Sequence, residues 1–161
     1  MSWREAFLRQ ARSEHEVRRR LGDLGVEYSH RLHYLQMVAE KLSKGMQAAP
    51  GHTDAPQLTH HSFVRLLQVL KRRPELRRQL GYNDADVFRR FIDSILDLAN
   101  QVQRLAPSGE LTQANPEYPW RDPVTGIVRA PVDYSFDLFD PRNPRMIKLE
   151  KLLDALLRIA A

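Results

Sequence analysis

The stretch VEYSHRLHYLQMVAEKLSKGM, Val26 to Met46, decides how the rest of the chain is read. Leu32, Leu35, Val38, Ala39, Leu42 and Met46 recur at steps of three and four, which places them on one face of a helix. Glu27, His30, Arg31, Glu40, Lys41 and Lys44 fall on the opposite face. A stripe this wide needs apolar partners along its whole length. The spacing therefore predicts a central helix with the other helices packed around it.

Working outward, Trp3 to about Leu21 reads as a first helix, with Trp3, Phe7, Ala11, Val17 and Leu21 on a broad apolar face. Ser2 and Glu5 have the spacing of a capping box. Arg18, Arg19 and Arg20 fall in the last turn, where positive charge complements the helix dipole. Beyond the central helix, AAPGHTDAPQLTH is a polar loop. A shorter helix then begins at Thr59 or His60 and buries Phe63, Leu66, Leu67 and Leu70. Pro74 interrupts it, and Glu75 to Leu80 can add a turn or two before Gly81. Asn83 or Asp84 caps a long helix to about Leu105, with a stripe of Val87, Phe88, Phe91, Ile92, Ile95, Leu96, Ala99 and Val102. Pro107, Ser108 and Gly109 end it.

Residues 107 to 145 hold most of the chain's prolines and little helical periodicity. Thr125-Gly126 suggests a turn and Ile127-Val128-Arg129 a short extended piece. Tyr118, Trp120, Tyr134, Phe136 and Phe139 suggest that the segment lies packed on the helices. A connection this long inside a compact domain is uncommon and often functional. Pro144 suits the first turn of a final helix to Ile159, whose inner face is Met146, Leu149, Leu152, Leu153, Leu156 and Leu157. The expected architecture is an all-α bundle of four or five antiparallel helices, one domain over residues 1–161, with a long proline-rich loop before the last helix.

Composition narrows the function classes. The 161 residues include no cysteine, which excludes disulfides and thiolate metal sites. No apolar run approaches a membrane span, and MSWREAFLRQARSEHEVRRR lacks the apolar core of a signal peptide, so a cytoplasmic location without membrane partners is expected. The net charge of +5 permits polyanion binding without requiring it.

Gln36-Met37-Val38-Ala39-Glu40-Lys41, followed by Ser43-Lys44-Gly45, resembles the Q-x-A-A-E-K-x-x-K-A run of HEPN domains, which are small helical bundles of prokaryotic toxins, nucleotidyltransferase partners and defence proteins. The segment Thr59-His60-His61-Ser62-Phe63, where histidine introduces an apolar run, fits the same pattern. Asn115-Pro116-Glu117-Tyr118-Pro119 is similar to that family's R-Y-P segment between its last two helices. The resemblance spreads over roughly residues 3 to 160. It implies a module that dimerises or docks a cognate protein, in a toxin–antitoxin or antiviral defence setting, with RNA binding as a further property.

Catalytic members of that superfamily are metal-independent ribonucleases that carry an arginine followed, after four to six intervening residues, by a histidine. Here only Arg9 and His15 have that spacing, and they lie on the first helix rather than near the last. Six positions along an unbroken helix differ by about 120° in azimuth, so the two side chains do not converge. Glu27, His30 and His33 stand at i, i+3 and i+6, but no second Glu-x-x-His pair exists to complete a carboxylate-bridged metal site. No glycine-rich phosphate loop or nucleophile elbow is present. No cofactor and no metal are therefore expected.

The most basic run, with Lys71, Arg72, Arg73, Arg77 and Arg78, is the candidate nucleic-acid contact, although no aromatic residue is interleaved for base stacking. Tyr28, Tyr34, Ile147 and Ile159 lie beside the main apolar stripes of their helices and are the candidate interface with a second copy or another protein. The leading expectation is a non-catalytic HEPN-like binding module that forms a homodimer or docks a cognate partner, with nucleic acid as a possible ligand. The alternatives are a metal-independent endoribonuclease using Arg9 and His15, and a structural subunit of a larger complex.

Overall fold

The computed structural model describes residues 1–49, 62–106 and 111–160. The expectations for the 48–60 loop beyond Ala49, for Thr59, His60 and His61, and for Pro107, Ser108 and Gly109 lie outside the described residues. Among the described residues there are six helices, five of them substantial. They are α1 (Trp3–Asp23), α2 (Tyr28–Gln47), α3 (Ser62–Leu70), the short α4 (Pro74–Gln79), α5 (Ala85–Gln103) and α6 (Pro144–Ile159). They pack antiparallel, with α2 in contact with α1, α3, α5 and α6.

Local chemistry accounts for the helix starts. Ser2 Oγ accepts from the Glu5 amide at 3.3 Å, and Glu5 Oε2 accepts from the Ser2 amide at 2.7 Å, completing the capping box. Asn143 Oδ1 accepts from the Arg145 amide at 2.9 Å ahead of Pro144 in the first turn of α6. Asp84 Oδ1 accepts from the amides of Asp86 at 2.7 Å and Val87 at 2.9 Å.

Those two bonds hold the Asp84 carboxyl below its usual range, with the Val87 amide the larger cause. A depressed folded pKa means that the stabilisation is present above the unfolded value and is lost as pH falls through the folded one. Asp84→Ala should therefore lower the thermal midpoint at neutral pH, and the gap to the parent should close in acid. A gap that stays constant from neutral pH to below the carboxylate range would show that the charge has no part in it.

The core draws on every long helix. Leu35, Val38, Leu42, Ile95, Leu153 and Leu156 are all buried together, as the periodicity requires. Three expectations need correcting. Phe91 is only partly buried, ringed by Tyr82 and Phe88, and Val87 is exposed, so the buried face of α5 is centred on Phe88, Ile92, Ile95, Ala99 and Val102. On α1, Leu8 and Ala11 face the core while Trp3 is 40% exposed. On α2, Lys44 is 6% exposed rather than solvated. The cause of the last two is the close seating of α1 on the far side of α2.

That seating is set by Gly45. A Cβ there would lie 2.7 Å from Leu8 Cδ2 and 3.2 Å from the Leu8 backbone nitrogen. The helices approach so closely that the polar side of α2 is covered and finds its partners on α1 and within its own turns. Lys41 Nζ stands 3.3 Å from Glu14 Oε1. Lys44 Nζ is 2.5 Å from Glu40 Oε1 and lies over the Phe7 ring. Gln36 Nε2 donates to Glu40 Oε2 at 3.0 Å. The residues that carry the sequence resemblance thus form a half-buried polar ladder along the α1–α2 seam.

The segment before α6 is more ordered than a plain loop. Strands β1 (Trp120–Arg121) and β2 (Val128–Arg129) pair antiparallel, Trp120 opposite Arg129 and Arg121 opposite Val128. Asp122 organises the turn, accepting from the amides of Val124 and Thr125 at 2.9 and 3.1 Å. Gly126 follows at φ +70°, a conformation that L side chains rarely adopt. Trp120, Phe136 and Phe139 are buried, and the Trp120, Tyr134 and Phe136 rings meet edge to face or tilted. Single 3-10 turns at Pro131–Asp133 and Asp137–Phe139 lead into α6. The aromatic residues of the segment do anchor it to the bundle, with Tyr118 and Tyr134 left partly in solvent.

Candidate nucleic-acid interface

The basic run forms the corner where α3 turns into α4. As the chain leaves α3, the Arg72 amide donates to the Val69 carbonyl and the Arg73 amide to the Leu70 carbonyl. Pro74 then opens α4. Leu76 and Leu80 pack against the core, which turns the other side of this short helix outward. The five candidate cations separate into two groups. Lys71 is tied to Asp93 on α5 by an ion pair. Arg77 is half-buried, with Nε enclosed and lacking an acceptor, and its charge helps depress the nearby Asp84 carboxyl. Arg72, Arg73 and Arg78 are exposed and make no ion pair among the described residues.

Elsewhere, Arg9, Arg65, Arg90, Arg104, Arg121, Arg145 and Arg158 are also exposed without an ion pair among the described residues, while other arginines are held by carboxylates. Arg19 and Arg20 hold Glu16, whose carboxyl they pull down to about 2. Arg89 pairs with Asp86 at 2.9 Å, Arg129 with Asp122 at 3.2 Å and Arg142 with Asp140 at 2.7 Å. What sets the corner apart is its density: three such guanidinium groups, of Arg72, Arg73 and Arg78, fall within seven residues at one turn.

The structure keeps Arg9 and His15 apart. Both lie on the unbroken α1, with a rise of about 9 Å between them. His15 turns to α6 instead, its Nε2 3.3 Å from Asp154 Oδ1. Of the histidines on α2, His30 is exposed and His33 Nδ1 is 3.6 Å from Glu117 Oε2. Among the described residues, no three His, Asp or Glu side chains gather in a metal-binding group.

The four interface candidates also part company. The Tyr28 hydroxyl donates to the Phe139 carbonyl, and burial, with the charge of Glu150 adding to it, pushes the phenol up to about 12. Tyr28 is thus covered by the chain's own segment before α6. Tyr34 is half-buried, edge-on to His33. Ile159 packs partly against the core. Ile147 is the one of the four that is exposed, at 40%.

A second charged feature escaped the reading of the sequence. On α6 the charges are sorted by side. Glu150 pairs with Arg18 and Asp154 with His15, both across the seam to α1. Lys148, Lys151 and Arg158 are exposed and make no ion pair among the described residues. Beside them an open groove runs between the two helices, lined by Arg12, His15 and Glu16 of α1 and by Asp154, Leu157 and Arg158 of α6. The alternation of sign along α6 is visible in the sequence, but its direction relative to α1 is not.

Compared with known proteins, the chain matches no family model, no curated protein and no solved structure. Among the described residues, no helix is long and apolar enough to cross a membrane.

Proposed function

We propose that this chain is a HEPN-like binding module that works by holding a partner rather than by turnover, and that the partner its surface favours is nucleic acid. The observation that carries the reading is the corner of Arg72, Arg73 and Arg78, three exposed guanidinium groups clustered at one turn with no ion pair among the described residues. Guanidinium groups contact phosphate oxygens bidentately and release condensed counterions on binding. No aromatic side chain lies within the run, so recognition proceeds through the backbone and is sequence-tolerant. A toxin–antitoxin or defence role is the setting that the sequence resemblance implies. Self-association, or docking of a cognate protein, belongs to the same reading, with Ile147 as the most exposed of its candidate interface residues.

The test is fluorescence polarisation with labelled single-stranded and duplex RNA and DNA across a salt series. Changing Arg72, Arg73 and Arg78 to Glu should flatten the duplex plot of log affinity against log salt. Its slope should fall in magnitude by about 0.9 for each phosphate that is no longer neutralised. Circular dichroism should be unchanged, because the three side chains are in solvent. An unaltered affinity and slope would reject the corner. The same RNA should remain intact. Cleavage that disappears in His15→Ala or Arg9→Ala would favour the endoribonuclease alternative instead.

A further inference from the structure

We infer that the groove between α1 and α6, together with the outward side of α6, is a second phosphate-backbone contact, so that one chain can hold two nucleic-acid segments at once. The inference rests on the nucleic-acid reading given for the α3–α4 corner and extends it to a different side of the bundle.

Three observations carry it. The first is the sorting of charge on α6. Successive residues of a helix are about 100° apart, which puts Lys148, Lys151 and Arg158 within a sector of roughly 80°. Glu150 and Asp154 lie to one side of that sector and are already engaged by Arg18 and His15. The outward cations are therefore not neutralised by their own helix. From Lys148 to Arg158 the stripe extends about 15 Å along the axis, long enough to meet several phosphates of one strand.

The second observation is Arg12. It lines the groove opposite Arg158, forms no ion pair among the described residues, and has Nη2 enclosed without an acceptor. Glu16, the nearest acidic wall on α1, is already held by Arg19 and Arg20. An uncompensated guanidinium at a half-enclosed position is costly to leave without an anion. A phosphate in the groove would lie between Arg12 and Arg158, over Leu157, with His15 fixed at its edge by Asp154. The third is placement. The helix α5 packs against both α3 and α6, and the groove is lined by α1 and α6 alone, sharing no element with the α3–α4 corner. Two separate phosphate contacts on one small bundle bridge strands or segments, as one continuous patch would not.

The experiment uses the full chain and two populations of a short duplex, one labelled with a donor fluorophore and one with an acceptor. The unaltered protein should bring them together and give energy transfer that salt abolishes. A Lys148→Glu, Lys151→Glu, Arg158→Glu variant should still bind one duplex through the corner, with a smaller salt slope, and should lose the energy transfer. Arg12→Ala should reduce the transfer without reversing any charge. The Arg72→Glu, Arg73→Glu, Arg78→Glu variant should also lose the transfer and keep a residual, salt-sensitive affinity. If the corner variant weakens binding and the α6 variant changes neither slope nor transfer, this inference fails while the corner stands. If neither variant changes anything, both readings fail. Occupancy of the groove by inorganic phosphate with no duplex captured there overturns the assignment to nucleic acid.

Discussion

Leu42→Ala is expected to reduce the free energy of unfolding by roughly 2–5 kcal/mol, a large share of the ~5–15 kcal/mol that holds a domain of this size folded. Leu42 is completely buried, on the helix that touches four others. Removing its branched end costs the transfer free energy of the lost methyl groups. It also leaves a cavity, and the size of that second cost depends on whether the walls can move in. Leu42 shares one buried cluster with Leu8 and Ala11 on α1, Phe63 and Leu67 on α3, and the inner side of α6. Collapse toward the cavity from one helix would open a gap against another. Urea unfolding followed by circular dichroism reads the effect as a shift in midpoint at unchanged slope. A midpoint equal to that of the parent would mean that α2 presents a different face to the core.

Gly45→Ala is expected to destabilise the protein by about 1–3 kcal/mol, although alanine is the better helix former by about 1 kcal/mol. In a helix interior, glycine is a weakness unless something needs the space. Here the added Cβ would sit 2.7 Å from Leu8 Cδ2, 2.8 Å from Leu8 Cγ and 3.2 Å from the Leu8 backbone nitrogen. A side-chain terminus can swing aside, but a branch carbon and a backbone atom cannot, so α1 as a whole must move outward. That movement would stretch the Lys41–Glu14 pair and the Arg4 hydrogen bond to the Gly45 carbonyl along the same seam. A double-mutant cycle isolates the clash. Leu8→Ala alone should cost stability as any large-to-small core change does. In that background Gly45→Ala should become neutral or mildly favourable, because the space is vacant and the helix propensity remains. Additive losses in the double variant would show that the helices do not meet at this point.

The sequence by itself determined those features that depend on a residue and its near neighbours. Steps of three and four gave α2, α5 and α6 with the inner residues Leu35, Val38, Leu42, Ile95, Leu153 and Leu156. Ser2 with Glu5, Asp84 and Pro144 marked helix starts, since a cap satisfies amides only two or three residues away. Thr125-Gly126 marked the hairpin turn for the same reason. The basic run was visible as composition, because five cations in eight residues cannot all be hidden.

The tertiary structure decided which of those cations are compensated and which surfaces are covered. Lys71 met Asp93, twenty-two residues away, while Arg72 and Arg73 beside it found no carboxylate among the described residues. Lys44 looked like a solvated residue and is buried, because α1 crosses α2 at a glycine and covers the side that periodicity assigns to water. Tyr28 looked like an interface residue and is capped by Phe139, more than a hundred residues later. On α6 the spacing of charges was legible, but its meaning required knowing that Arg18 and His15 come to one side of it. A helix fixes the angles between its own side chains through its hydrogen bonds. What each angle faces is set by the packing of other helices, whose positions depend on contacts far apart in the chain.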